Sequence, residues 1–158
     1  MTRKRFFSDR EKGFTIMELM VVIAIVGILT ALIVPNIVTW RNNSMVSGAV
    51  RVLMHDLNLA KARAITEGSR VSVLFSDKGY AAFLDNGANP NNFVREADET
   101  ILIAKELTGI SVQNTTFTND RLFFNSRGIC SENGDVVLGM SGVQKRVVVS
   151  RVGRITIP

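Results

Sequence analysis

At 158 residues the chain has room for one globular domain plus one long element. Hydrophobic residues at 46% and charged residues at 21% exclude a disordered chain. A single cysteine, Cys130, excludes an internal disulfide, and with one histidine there is no His/Cys set for a transition-metal cluster.

The formal charge of +5 is unevenly placed. Residues 1–13 carry Arg3, Lys4, Arg5, Arg10 and Lys12 against Asp9 and Glu11, so most of the basic excess precedes Phe14. There it acts as a topology signal, and the overall charge is weak ground for nucleic-acid binding. From Leu19 to Val34 no charge occurs, and the apolar run extends to Val38. That length, about 20 residues at ~1.5 Å each, crosses a ~30 Å hydrocarbon core. Basic residues before it predict a cytoplasmic N-terminus and an exported C-terminal part. A secretory signal peptide would place a small-residue cleavage site just after the run, where Pro35-Asn36-Ile37-Val38-Thr39-Trp40 stands instead. A plain anchor accounts for the length and flanks but not for Glu18, a carboxylate costly in a bilayer.

Gly27 and Pro35 interrupt the run. Pro35 has no N–H and frees the carbonyl of Ala31, which permits a kink, although membrane helices also tolerate both residue types. Beyond it, Val46, Val50, Leu53, Leu57, Ala60 and Ala64 recur at helical spacing as one apolar stripe, and Gly68 is a stop signal. Phe14 to Glu67 would extend about 80 Å as one helix, so its first half needs lipid or other helices while its second half packs on a sheet.

The remainder is β in pattern. Strands are predicted at 70–75, 79–84, 100–106, 110–114, 121–125, 135–140, 145–150 and 154–157, with a hairpin around Ser76-Asp77-Lys78. Helix first and strands afterwards predicts an α+β fold, a long N-terminal helix packed on antiparallel sheet. The expected divisions are a leader at 1–13, a transmembrane and assembly helix at 14–39, its amphipathic continuation at 40–68, and a globular β domain at 69–158.

No catalytic constellation is visible. His55 lies on the helix without partners of a triad, and Gly128 and Gly134 are turn glycines rather than a phosphate loop. The chain is expected to catalyse nothing and to need no cofactor or metal. Asp85-Asn86-Gly87-Ala88-Asn89-Pro90-Asn91-Asn92, with Asp98 and Glu99, offers oxygen ligands of the kind calcium accepts. The spacing matches no EF-hand, and these are also the usual turn residues. Lys145, Arg146, Arg151 and Arg154 form a basic C-terminal stretch without acidic residues. Such a stretch could hold phosphates or be merely solvated. Alternate residues of a strand face opposite ways, so Lys145 and Arg146 cannot join one patch.

Lys12-Gly13-Phe14-Thr15-Ile16-Met17-Glu18-Leu19, followed by the apolar run, resembles the processing signal of type IV prepilins and type II secretion pseudopilins. The strand order, with Asn125-Ser126-Arg127-Gly128 and the ending Arg146 to Ile155, resembles the GspH/FimT branch, which has two antiparallel sheets. The resemblance implies cleavage between Gly13 and Phe14 by a prepilin peptidase, N-methylation of Phe14, and assembly roles for Glu18 and Pro35. It implies a minor pilin or pseudopilin, since Cys130 alone cannot form the C-terminal disulfide loop common in major pilins. The expected location is the bacterial inner membrane, single-pass with a periplasmic domain, and then a type IV pilus or a type II secretion pseudopilus. Partners would be other pilin subunits through the helix. An alternative is DNA binding through Lys145, Arg146, Arg151 and Arg154 during DNA uptake.

Glu18 also has a physical partner in prospect. Removing the leader creates an amine at Phe14, which methylation leaves cationic. Four residues along a helix is about 6 Å, so Glu18 can pair with its own amine or with that of a neighbouring subunit.

Overall fold

A computed structural model describes residues 13–158 except Ala88, Pro90, Asn91 and Asp98; the side chains of residues 32–36 are also outside the description. The basic residues before Gly13, expected above to form a leader, and the side chain of Pro35 therefore lie outside the described residues. The chain divides into two compact units, Met1–Val38 and Thr39–Pro158.

Helix α1 runs from Ile16 to Thr66. In the first unit every described side chain from Phe14 to Ala31 is exposed, apolar on all sides apart from Glu18, Thr15, Gly27 and Thr30. Among the described residues no helix is long and apolar enough to cross a membrane, the described side chains of this run stopping at Ala31.

In the second unit the pattern of α1 changes as its spacing predicts. Val46, Val50, Leu53, Leu57, Ala60 and Ala64 are at most 1% exposed and join the hydrophobic core. Arg51, Arg63 and Glu67 remain in solvent. The helix ends at Thr66, and Gly68 follows at φ 61, a left-handed value that glycine adopts without strain.

Eight strands follow: β1 (Val71–Ser76), β2 (Gly79–Leu84), β3 (Ile101–Glu106), β4 (Ser111–Thr115), β5 (Arg121–Phe124), β6 (Gly134–Met140), β7 (Val143–Val149) and β8 (Ile155–Thr156). They form two four-stranded antiparallel sheets, β3-β2-β1-β5 and β4-β6-β7-β8. Ser76 pairs with Gly79, so the β1–β2 turn is Asp77-Lys78, one residue tighter than the predicted loop.

Period-two alternation sets the inner faces. Val71, Val73 and Phe75 of β1, Leu122 and Phe124 of β5, Val136 and Leu138 of β6, and Val147 and Val149 of β7 are buried in one cluster with the helix stripe. The β1–β2 turn links the sheets: the Lys78 carbonyl accepts from Leu107 N–H (2.7 Å) and the Asp77 carbonyl from Val112 N–H (3.1 Å). A polar contact ties helix to sheet, where the Tyr80 hydroxyl donates to Asp56 Oδ2 (2.6 Å) and Lys105 Nζ lies 3.7 Å from the same oxygen.

Candidate functional site

At the start of α1, Gly13, Phe14 and Thr15 are non-helical and exposed, and Phe14 is 74% exposed. Thr15 is the helix N-cap. Its carbonyl accepts the first helical bond from Leu19 N–H (3.1 Å), and its Oγ1 accepts from Glu18 N–H (3.2 Å). Glu18 thus occupies the first turn, where a carboxylate faces the positive end of the helix dipole. Thr15 joins Gly13, Phe14 and Glu18, the residues expected from sequence, as part of this site. The signal was present, since Thr15-Ile16-Met17-Glu18 fits the capping pattern S/T-x-x-E. Pro35 falls within α1.

The basic C-terminal residues separate. Arg146 is exposed on β7, whereas Lys145 is half-buried on the face shared with Val147 and Val149. Arg151 and Arg154 are exposed in the tight turn before β8, where Ser150 N–H donates to the Arg154 carbonyl (2.8 Å) and Gly153 N–H to the Ser150 carbonyl (2.8 Å). This turn sits on a second one, Asn125 to Gly128. A Cβ on Gly153 (φ 78) would meet the Gly128 carbonyl oxygen at 2.1 Å, and one on Gly128 would meet Ile65 of α1 at 2.8 Å. Lys61 Nζ donates to the Gly153 carbonyl (2.8 Å), fixing the turn to the helix. The packing sets the turn that carries exposed Arg127 against the turn that carries Arg151 and Arg154. Sequence spacing gave no sign of this, because the two turns are more than twenty residues apart along the chain.

The Asn-rich loop is closed by its own acids. Glu99, 4% exposed, accepts from Gly87 N–H (3.1 Å) and Glu96 N–H (2.9 Å). Glu96 accepts from Asn89 and Asn92. Asp85 accepts from the Ser72 hydroxyl (2.6 Å) and from Phe93 N–H (3.3 Å), and its Oδ2 lies 3.4 Å from Arg70 Nε. The Arg70 guanidinium lies over the rings of Phe93 (3.9 Å) and Phe123 (3.6 Å), which meet edge to face with centroids 5.5 Å apart. Burial pulls Arg70 down from its ordinary pKa, Asp85 opposes the shift, and Arg121 adds to it. Among the described residues no group of three or more His, Cys, Asp or Glu side chains could hold a metal ion. His55 is 78% exposed, with Nδ1 3.4 Å from Asp56 Oδ1.

Comparison with known proteins agrees with this architecture. A family model described as Type II transport protein GspH matches residues 49–153, and one described as Prokaryotic N-terminal methylation motif matches residues 8–34. The chain is 26% identical over 149 residues to Competence protein ComGD of Bacillus subtilis (strain 168), covering 94% of each chain. Its fold is shared with the type IV minor pilin FimU of Pseudomonas aeruginosa (TM-score 0.56, 15% identity, 71% of this chain and 91% of that one). It is shared also with the minor pseudopilin EpsH of the type 2 secretion system of Vibrio cholerae (TM-score 0.53, 14% identity, 72% and 95%). A helix apolar on all sides before Ala31, an amphipathic continuation on two antiparallel sheets, and both sequence matches lead to one conclusion: the chain belongs to the GspH family of type IV pilin-like proteins.

Proposed function

We propose that this protein is a minor pilin or pseudopilin precursor whose leader is removed between Gly13 and Phe14 and whose mature helix packs into a filament. The observation that carries the reading is Glu18, in the first turn of α1 and the single charged side chain between Gly13 and Ala31. Before assembly the run from Leu19 to Val38 holds the chain in the inner membrane, with the Thr39–Pro158 unit in the periplasm. A prepilin peptidase hydrolyses the Gly13–Phe14 bond, and the new Phe14 amine is methylated. In the filament, the amine of one subunit neutralises Glu18 of its neighbour, so a subunit is accepted only in the correct register. Pro35 has no N–H to donate to the Ala31 carbonyl, which gives α1 a point at which it can bend during assembly.

The test is incorporation of the full-length chain into filaments in cells with active prepilin peptidase. Glu18→Ala is expected to be cleaved normally but left in the membrane fraction. Filaments that accept Glu18→Ala as readily as the parent would defeat the register role. A parent chain whose N-terminus stays at Met1 would defeat the processing reading.

A second reading is DNA binding during uptake, supported by the similarity to a competence protein and by the exposed Arg127, Arg151 and Arg154 on adjoining turns. Such contacts bind phosphate without reading sequence, and affinity falls steeply with salt. Lys145 is left out of this surface by its strand face. If the full chain retains no duplex DNA at low salt, or retains it equally after Arg151→Ala and Arg154→Ala, this reading fails.

A further inference from the structure

We infer that Thr15 is a positioning residue for removal of the leader: its helix cap keeps the Gly13–Phe14 peptide outside α1, where a peptidase can bind it extended. The inference rests on the processing reading above.

The geometry is local and complete among the described residues. Gly13, Phe14 and Thr15 are non-helical, helix begins at Ile16, and nothing lies within 4 Å of a Cβ built on Gly13. Thr15 Oγ1 occupies the Glu18 N–H, and the Thr15 carbonyl takes the first helical bond from Leu19. A cap residue holds non-helical backbone angles, so the helix cannot propagate backward through it without losing that bond. The scissile peptide therefore stays one residue outside the cap.

Removing the cap changes the competition. Alanine is a poor cap and the best interior helix residue, whereas glycine caps about as well as threonine. In Thr15→Ala the helix start passes to Gly13, two residues earlier, and Phe14 enters the first turn. The bond to be cut then becomes part of a helix. Hydrolysis adds water across it, leaving a carboxylate on Gly13 and an amine on Phe14, and the peptide must first be unwound. Only the unwound fraction binds, so the cost appears as weaker apparent binding rather than slower chemistry. The cap also serves the product. After cleavage, Phe14 remains outside the helix, and its cationic amine is free to reach a carboxylate instead of being fixed in the first turn.

The experiment measures cleavage of the full-length precursor in membranes containing prepilin peptidase, with product identified by mass. The parent chain, Thr15→Ala, Thr15→Ser and Thr15→Asn are compared at several substrate concentrations. Thr15→Ala is expected to raise KM roughly fivefold with kcat unchanged, the population ratio that loss of one cap produces. Serine and asparagine, both strong caps of different shape, are expected to restore the parent KM. Equal KM for Thr15→Ala and parent overturns the inference while cleavage of the parent after Gly13 leaves the processing reading intact. An asparagine variant as poor as alanine also overturns it, since the peptidase would then be reading the threonine side chain itself. A parent chain that is not cut after Gly13 removes both.

Discussion

Tyr80→Phe isolates the polar contact that joins helix to sheet. The ring is 5% exposed and packs 6.4 Å from Phe75, centroid to centroid, so phenylalanine preserves the packing. What is lost is the hydroxyl that donates to Asp56 Oδ2 at 2.6 Å. Asp56, 12% exposed, then keeps Lys105, a half-exposed partner 3.7 Å away, and the neighbouring His55. A hydrogen bond to a charged acceptor contributes about 1.5–3 kcal/mol, so a loss of about 2 kcal/mol at neutral pH is expected. Burial, the bond to Asp56 and the charge of Asp56 all push the Tyr80 pKa above its ordinary value of about 10. A raised pKa means the folded state holds the proton more tightly than the unfolded chain. The contribution is therefore fully present below the unfolded pKa and is lost as pH rises above it, with a slope of about 1.4 kcal/mol per pH unit. The assay is urea unfolding of the full chain in mild detergent, followed by far-ultraviolet circular dichroism from neutral to alkaline pH. Tyr80 is the single tyrosine, so phenolate absorbance reports its titration directly. Equal neutral stability of variant and parent, together with the same alkaline slope, would refute the reasoning.

Three further outcomes are expected. Gly153→Ala places a Cβ at φ 78 and 2.1 Å from the Gly128 carbonyl oxygen, so it should cost about 2–3 kcal/mol in the same assay. Arg70→Ala removes the cation over the two rings and a counter-charge from buried Asp85, a loss of about 3 kcal/mol. Its signature should be faster hydrogen exchange at the Gly87 and Phe93 amides while the amides of β6 and β7 keep their protection. The Cys130 thiol is 2% exposed, and burial pushes its pKa up. It should resist alkylation in the folded chain and react once urea unfolds it; rapid labelling of the native protein would contradict this burial.

Much of the fold was legible because its causes are local. The spacing of Val46, Val50, Leu53, Leu57, Ala60 and Ala64 marks one helix face, and all six are buried. All eight strands fall within a few residues of their predicted ranges, since runs rich in β-branched and aromatic residues bounded by turn residues mark them locally. The Thr15 cap is equally local, written in Thr15-Ile16-Met17-Glu18, where Glu18 is both a lone-charge signal and the last residue of a capping pattern. In the Asn-rich loop the same residue types suit turns and oxygen ligation alike, and the structure engages Glu99 with loop backbone amides and Asp85 with the Phe93 amide and Arg70, while Asp98 lies outside the described residues.

By itself, then, the sequence determined the helix and its two characters, the strand positions and the motif around Gly13, all set by residues close in the chain. Only the tertiary structure decided how eight strands divide into the sheets β3-β2-β1-β5 and β4-β6-β7-β8, because pairing partners are chosen by packing across the core. It alone seated Gly128 against Gly153, so that the turn carrying Arg127 adjoins the turn carrying Arg151 and Arg154, two distant turns closing on Lys61 and Ile65 of the helix.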